Sequence, residues 1–234
     1  MTEIILASDL GVELVQVSAT DEFVTQTARV STANDLGLYE PGKTPGLINY
    51  LMKKRHGSPF EHNIFTFRIS APIFVAREAF RHRIASYNEV SGRYMKLEPK
   101  FYLYPKDRPL VQAGSSAHPD IVHSDVDLHT EGNQILAEGY EDDWDRYNRL
   151  IDLGWALEAA RAKLPVGVYT SWYVSMNARA LMNFLSLRVD AEGNVFETKP
   201  QWEIQKVAEQ MSGHFHEHMP ATAAAFEKNG RIAP

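Results

Sequence analysis

The chain has 234 residues, enough for one large domain or two small ones with a substantial hydrophobic core. Hydrophobic residues make up 44% and charged residues 23% of it, close to the globular average, which excludes wholesale disorder. Cysteine is absent, which excludes disulfides, thiolate zinc sites, iron–sulfur clusters and enzymes with a thiol nucleophile. The formal net charge of −6 argues against a protein that coats nucleic acid.

The sequence carries no export or membrane signal. Its first residues, MTEIILASDLGVELVQ, lack the basic start and long apolar stretch of a secretory signal. No apolar run approaches the roughly 18–20 residues of a membrane span. We therefore expect a cytosolic (cytoplasmic) protein without a membrane partner.

Hydrophobic periodicity and turn residues predict the elements of the first hundred residues. In chain order these are a strand at 12–20, a helix at 21–32 with Asp21 as N-cap, a Gly/Pro loop at 37–46, a helix at about 47–55, a strand at 63–70, a helix at 72–83, a loop at 86–94 and a short strand at 100–105. On the helix at 72–83, Arg77 and Arg81 are expected to share a face.

The chain turns polar from Lys106 to Asn133 and shows no periodicity there. We expect an exposed excursion, which is either an inert surface loop or part of a substrate entrance or subunit contact. The elements predicted after it are a helix at about 138–164, a strand at 167–176, a helix at 177–188, a loop at 189–200 and a last helix at 201–219.

Helices and antiparallel-looking strands alternate here without regular βαβ units. This favours an α+β fold, which we expect to form one domain over residues 1–234 with the excursion at about 106–133. No glycine-rich dinucleotide or phosphate-loop fingerprint is present. If a flavin or nucleotide binds, side chains must therefore hold its phosphates.

Positive charge is concentrated in one part of the sequence. Between Lys53 and Arg108 there are 12 Lys and Arg against 5 Asp and Glu, a local +7 that leaves −13 for the remainder. Guanidinium groups match phosphate oxygens bidentately, whereas the acidic remainder repels long polyanions. The pattern predicts a pocket for a small anion such as phosphate.

The densest polar segment of this basic region is RHRIASYNEVSGRY, residues 81–94. Arg81 and Arg83 offer planar donors for phosphate, Glu89 can accept from a ribose hydroxyl or a ring N–H, and Ser91 can donate to phosphate oxygens. The alternative is a solvated basic helix end followed by a turn.

A second polar set interrupts the apolar helix NARALMNFLSLR, residues 177–188. Asn177 has an ordinary explanation as the helix N-cap. Asn183 lies between Met182 and Phe184, where we expect a buried amide that needs partners, and a bound heterocycle would supply them.

The 81–94 segment is similar to the pattern R-H-R, two residues, S, one residue, N-E, one residue, S, one residue, R-Y of the flavin-dependent thymidylate synthases, the ThyX family. The resemblance covers most of the chain and fails at about 106–129 and in the final dozen residues. Its other segments are HGSPFEH (56–62), FVAREAF (74–80), EAARAKLP (158–165), NARALMNFLSLR (177–188) and QWEIQ (201–205).

The resemblance implies the thymidylate synthase-complementing fold, with helices packed on a mostly antiparallel sheet. It implies a methyltransferase that converts dUMP to dTMP, uses FAD, takes its carbon from methylenetetrahydrofolate and its reducing equivalents from NADPH. It also implies a homotetramer with active sites at subunit interfaces.

The resemblance assigns site residues as well. Arg188 would be the catalytic arginine placed against the uracil ring. The flavin contacts it implies are Ser58, Arg81, His82, Arg83, Glu89, Asn177, Arg179 and Asn183, with His56 near the flavin and the folate entrance. The dUMP contacts it implies are Glu78, Arg81, Glu89, Val90, Ser91, Gly92, Arg93, Arg161 and Arg188.

The absence of cysteine agrees with this chemistry, because the other class of thymidylate synthase activates uracil with a thiolate. Activation here must come from polarisation by a cation such as Arg188. Glu78 departs from the family pattern, since many relatives have glutamine there. A carboxylate would repel phosphate unless Arg81 or Arg77 neutralises it, and the alternative is a helix-surface pair of Glu78 with Arg81.

Two rival functions follow from other features. A metal hydrolase is suggested by nine histidines, but neither histidine cluster has a compact three-ligand spacing with a catalytic Glu, so we expect no metal. The clusters are His214 with His218, and His118, His123 and His129 beside Asp120, Asp125 and Asp127. A nucleic-acid module is suggested by aromatics within the basic region, but the −13 on the remainder disfavours a nucleic-acid polymer as partner.

Overall fold

The computed structural model describes residues 3–31, 43–115 and 120–234. Predictions at positions 1–2, 32–42 and 116–119, including the end of the first helix, most of the Gly/Pro loop and His118, lie outside the described residues. The helices are α1 (Asp21–Arg29), α2 (Thr44–Lys53), α3 (Ser58–Glu61), α4 (Ile73–Ala79), α5 (Val126–Asp152), α6 (Leu157–Ala160), α7 (Ala178–Arg188), α8 (Trp202–His218) and α9 (Pro220–Lys228). The strands are β1 (Ile5–Ala7), β2 (Gly11–Val17), β3 (Ile64–Pro72), β4 (Ser86–Glu89), β5 (Lys100–Tyr102), β6 (Val111–Gln112), β7 (Ile121–Val122) and β8 (Tyr169–Asn177).

Four strands form the main sheet in the order β2-β3-β8-β4, and the β2–β3 and β8–β4 pairs are antiparallel. In β3 the alternate residues Phe65, Phe67 and Ile69 are buried, as the period-2 pattern predicts. The α+β class with a mostly antiparallel sheet is confirmed, and so is the predicted strand at 63–70.

The edge strand β4 corrects one prediction. Residues 86–94 were expected to form a loop, but Ser86 to Glu89 pair with β8, from Ser86 opposite Ser175 to Glu89 opposite Trp172. The strand has no apolar alternation because three of its four side chains are exposed. Main-chain hydrogen bonding, which side-chain periodicity does not report, is what makes it a strand.

Helices α4 and α7, which carry predicted site residues, differ in part from the prediction. Helix α4 ends at Ala79, so Arg81 follows the helix and does not share its face with Arg77. Pro72 is the last residue of β3 instead of the first turn of α4. Helix α7 begins as predicted, with the Asn177 side chain accepting a hydrogen bond from the amide of Ala180 at 2.8 Å.

The chain divides into two compact units, each described by itself. One unit contains residues 1–9, 71–76 and 90–170, and the other contains 10–70, 77–89 and 171–234. The prediction of one domain over residues 1–234 stays a prediction. None of the helices in the described ranges combines the length and apolar character needed to cross a membrane.

An aromatic cluster forms the core of the first unit. Phe101 stacks on Tyr140 at 5.0 Å between ring centroids, and Trp144 and Tyr147 complete the cluster. Three of these rings lie on α5, which begins at Val126 because the Asp125 side chain caps it.

Strands β6 and β7 pair just before α5. The polar excursion predicted at about 106–133 is therefore wrong in its last part, and the helix predicted at 138–164 starts earlier and ends at Asp152.

Helix α9 was not predicted, and a carboxylate on α1 caps it. Asp21 was expected to be the N-cap of α1, but the Thr20 hydroxyl takes that place. The Asp21 carboxylate instead accepts hydrogen bonds from the amides of Ala221 and Thr222 at 2.7 and 2.9 Å and from the Thr222 hydroxyl at 2.6 Å. Pro220 opens this helix, since proline suits a first turn.

Substitution Asp21→Ala should lower the free energy of unfolding by about 2–3 kcal/mol, because it removes a charged acceptor shared by three donors. Urea denaturation at fixed protein concentration measures the change. The control is Asp142→Ala, which breaks an exposed i,i+4 pair with Arg146 and should cost at most about 0.5 kcal/mol. Equal losses in both variants would contradict the capping role.

Candidate active site

Arg188, the last residue of α7, is held by two side chains that precede it by more than one hundred residues. Its Nε donates to Nε2 of His82 at 3.1 Å, and its Nη1 lies 3.1 Å from Oε2 of Glu78. Its Nη2 also donates to the main-chain oxygen of Glu78 at 3.4 Å. The Arg188 side chain is only 18% exposed, so these contacts hold a charged group in a partly desolvated position.

His82 is uncharged in this arrangement. Burial, and to a smaller extent the Arg188 guanidinium, lowers the pKa of His82 from 6.5 to about 4. Since Nε2 accepts the hydrogen bond from Arg188, the ring proton lies on Nδ1. The ring also packs edge-on against Phe184 at 4.7 Å. A neutral acceptor thus orients Arg188 without cancelling its charge.

Glu78 has a partner that the sequence did not suggest. A surface pair of Glu78 with Arg81 was one of the two alternatives, but no ion pair joins them in the part of the chain that the structure describes. The Glu78 carboxylate, 37% exposed, pairs with Arg188. Arg188 lies 110 residues along the chain, so no local spacing indicated this contact.

Arg81 and Arg83 follow the end of α4 and are both exposed. The turn that carries them is fixed by Tyr87, whose hydroxyl donates to the main-chain oxygens of Ala79 and His82 at 3.0 and 2.9 Å. Two exposed guanidinium groups therefore lie on a turn that these two hydrogen bonds hold, on either side of His82 in the sequence. Such groups can bind phosphate oxygens with little rearrangement.

Three predicted flavin residues lie around α3. Arg179 pairs with Glu61 at 2.5 Å and donates to the main-chain oxygen of Pro234. Gly57 is buried beside it, and a Cβ there would lie 2.6 Å from the Arg179 Nε, so only glycine leaves room for the guanidinium. Ser58 and His56 are exposed, and the His56 ring stacks on Tyr50 at 6.2 Å.

Asn183 differs from its expectation. It was expected to be a buried amide, but it is exposed and lines a cleft of about 220 Å³ on the outer side of α7. Its neighbours Met182 and Phe184 point into the core, because adjacent helix positions face different directions. The Asn183 amide is therefore available to a ligand without being in need of one.

The predicted substrate loop begins where β4 ends at the exposed Glu89, and residues 90–93 belong to the other compact unit. Within that unit, Gly92 is buried, and a Cβ on it would lie 3.6 Å from Cδ of Arg161. Arg93 pairs with Glu158 at 3.0 Å. Ser91 accepts from the Arg93 amide at 3.3 Å, which shapes the turn, and Val90 is 40% exposed. The structure thus places Gly92 of this loop beside Arg161, and the binding role of both stays a prediction.

No group of three or more His, Asp or Glu residues suited to a metal ion occurs within residues 3–31, 43–115 and 120–234. His214 and His218 pack against Phe67 and Phe65. His129 contacts main-chain oxygens of Tyr104 and Pro105 at 3.0 and 3.2 Å.

Known proteins resemble the chain over nearly its whole length. The family model described as thymidylate synthase complementing protein matches residues 13–221. A flavin-dependent thymidylate synthase of Streptomyces coelicolor is 47% identical over 234 residues, which cover 98% of this chain and 95% of the relative. One of Tropheryma whipplei is 45% identical over 236 residues, covering 98% and 97%.

A solved structure agrees with these relatives. The UMP/dUMP methylase PolB from Streptomyces cacaoi, bound with 5-Br dUMP, has a TM-score of 0.94 and 46% identity, and covers 99% of this chain and 100% of that chain. The fold and these relatives thus define a class of enzyme, the methyltransferases that use flavin. The chain belongs to the thymidylate synthase complementing protein family, that of the flavin-dependent thymidylate synthases.

His82 should titrate with a pKa near 4, which nitrogen-detected NMR of the ring can measure. The unfolded chain takes up this proton near pH 6.5, so the contribution of His82 to stability is constant above that pH and is lost progressively as the pH falls from 6.5 toward 4. In Arg188→Ala the pKa should rise toward 6.5. A His82 that titrates near 6.5 in the unaltered protein would contradict the buried neutral ring.

Proposed function

We propose that the protein converts dUMP to dTMP, with methylenetetrahydrofolate as carbon donor and NADPH as reductant through FAD. The observation that carries the proposal is the contact of Arg188 with His82 and Glu78, which holds a partly buried cation of the kind needed to polarise a uracil ring. Support comes from relatives named flavin-dependent thymidylate synthases and from PolB structures with 5-Br dUMP and 5-Br UMP.

The donors present suit a flavin dinucleotide. Its diphosphate needs cations, and exposed guanidinium groups at Arg81 and Arg83 supply them in place of a glycine-rich loop. Its ring and ribose edges need amides and acceptors, which Asn183, Asn177 and Glu89 offer. We assign the same role to Ser58, His82, Arg179 and His56. When bound, the flavin supplies the reducing equivalents that no protein side chain can deliver.

Arg188 polarises the uracil ring in this proposal. A guanidinium has five N–H donors, and three are engaged by His82 and Glu78, which leaves two for ring oxygen and nitrogen atoms. Negative charge develops on these atoms as the ring becomes nucleophilic at carbon, and a fixed cation stabilises it. Because arginine stays protonated even when water is excluded, the stabilisation persists in a closed site.

The segment 89–93 and Arg161 bind the nucleotide in this proposal, with Arg81 and Glu78 as further contacts. Arg93 now pairs with Glu158 in an exposed ion pair, with side chains 49% and 55% accessible. Such pairs contribute little free energy, so a phosphate can replace the carboxylate at small cost. The homotetramer, with active sites at subunit interfaces, and the cytoplasmic location belong to the same proposal.

Arg188→Ala should lower the rate of dTMP formation by about 10²- to 10³-fold, because it removes a donor aimed at developing charge. The visible flavin spectrum should remain, since the polarising role does not require Arg188 to hold FAD. Turnover is measured with dUMP and UMP side by side, which also decides the sugar preference. The matched control is Arg146→Ala, an exposed arginine on α5.

Two results would overturn this assignment. A purified protein that takes up no FAD would remove the proposed function, and unchanged turnover in Arg188→Ala would remove Arg188 from the catalytic role.

Arg93→Ala should weaken dUMP binding by about 10- to 100-fold, the effect of losing a charge-assisted hydrogen bond. Glu158→Ala is the matched variant, because it frees Arg93 and should leave binding unchanged or make it tighter. Titration calorimetry with dUMP measures both affinities. Similar losses in both variants would mean that the Arg93–Glu158 contact matters only for the shape of the loop.

A further inference from the structure

Two arginines adopt a backbone conformation that normally favours glycine. Arg55 has φ 63° and Arg231 has φ 56°, and in the described part of the chain no other non-glycine residue has a positive φ. Both follow helix ends, where their amides donate to the main-chain oxygens of Met52 and Phe226 at 3.2 and 2.9 Å. Glycine forms such turns without steric cost. Arginine at both positions therefore lowers the stability of the fold relative to glycine, which indicates that the arginine side chains have a use.

Both arginines line the same cleft, the one of about 220 Å³ that also contains Asn183. Its other walls come from Ser186 and Leu187 on α7, from Asn194 and Phe196, and from the segment 230–233. No carboxylate lines it, so its formal charge is +2. A cleft of this size and charge suits one small anionic group and is too small for a dinucleotide.

Arg231, which lines the cleft, has unpaired donors. It is only 5% exposed, and its Nε and Nη2 are buried without a hydrogen-bond partner. Its Nη1 lies 3.6 Å from Glu227, but that carboxylate also contacts Nε2 of His216 at 2.8 Å and is shared between them. Buried guanidinium donors without an acceptor are costly, which points to an acceptor supplied by a ligand.

Asn194 narrows the class of ligand. Its Nδ2 donates to the main-chain oxygen of Val189 at 3.1 Å, whereas its Oδ1 is buried without a partner. An anion alone would leave this acceptor unsatisfied. A carboxylate attached next to an amide N–H would satisfy both the arginines and Asn194. An amide-linked glutamate has this combination.

We propose that the cleft between α7 and residues 230–233 binds an amide-linked glutamyl group, with Arg55 and Arg231 contacting its carboxylates and Asn194 its amide N–H. The identity of the molecule that carries this group rests on the proposed function. Among its co-substrates, methylenetetrahydrofolate ends in a p-aminobenzoyl glutamate. The cleft then fixes the far end of the folate, while Asn183 at its rim is one of the residues assigned to the flavin.

The test measures binding of p-aminobenzoyl-L-glutamate to the FAD-loaded, dUMP-saturated protein by titration calorimetry. Arg55→Gly should weaken this binding about 10-fold, because a charge-assisted contact is lost. The same variant should melt at an equal or higher temperature, since glycine relieves the left-handed conformation. If Arg55 had only a structural role, the Arg55→Gly variant would instead melt at a lower temperature. Arg146→Ala serves as the control and should change neither quantity.

Turnover gives a second readout. Arg55→Gly should raise the KM for methylenetetrahydrofolate about 10-fold and leave kcat and the KM for dUMP unchanged. Arg231→Gln should act in the same direction, and Arg55→Gly keeps the test decisive if the buried Arg231 variant does not fold.

Several outcomes would overturn the proposal. They are a probe that does not bind, binding unaffected in Arg55→Gly, or preferential binding of adenosine 2′-phosphate, which would assign the cleft to the phosphate of NADPH. The calorimetric arm requires no turnover. A protein that binds the probe through Arg55 but makes no dTMP would therefore retain the cleft assignment and lose the proposed function.

Discussion

The arrangement of the site depends on keeping one charged arginine in a partly buried position. Arg188 is held there by a carboxylate, Glu78, and by an imidazole, His82, that burial keeps neutral. The charges of these two partners determine how much of the positive charge of Arg188 remains available. A protonated His82 would repel the guanidinium, whereas a second carboxylate would neutralise it and weaken its effect on a ring nearby. One anion and one neutral acceptor fix the orientation and leave part of the positive field available.

The same contact explains why Glu78 is compatible with the basic region between Lys53 and Arg108. A free carboxylate beside Arg81 would oppose an anionic substrate. Paired with Arg188, its charge is largely balanced by a group that is itself held in place. Glu78 therefore does little to reduce the positive charge of the Lys53–Arg108 region near the exposed Arg81 and Arg83.

Sequence reasoning succeeded where a local pattern determines the structure. The alternation in β3 and the capping residue Asn177 are visible within a few positions, and both were predicted. It failed where the decisive partner is remote. Asp21 was expected to cap α1 but caps α9, which lies 200 residues away. The Glu78–Arg188 pair and the polar edge strand β4 were not predicted for the same reason. Main-chain pairing and long-range contacts leave no periodic pattern in the sequence.

Burial separates the arginines into two groups. Arg93 and Arg179 lie in exposed ion pairs with Glu158 and Glu61, which cost little to break when an anionic ligand arrives. Arg188 is mostly buried, and its partners would be left uncompensated if it moved, so it stays fixed. Under the proposed function, exposed cations suit the binding of anionic groups, whereas a fixed cation suits charge that appears only during reaction. Residue type alone does not distinguish these two groups, because the difference lies in how much water reaches each guanidinium.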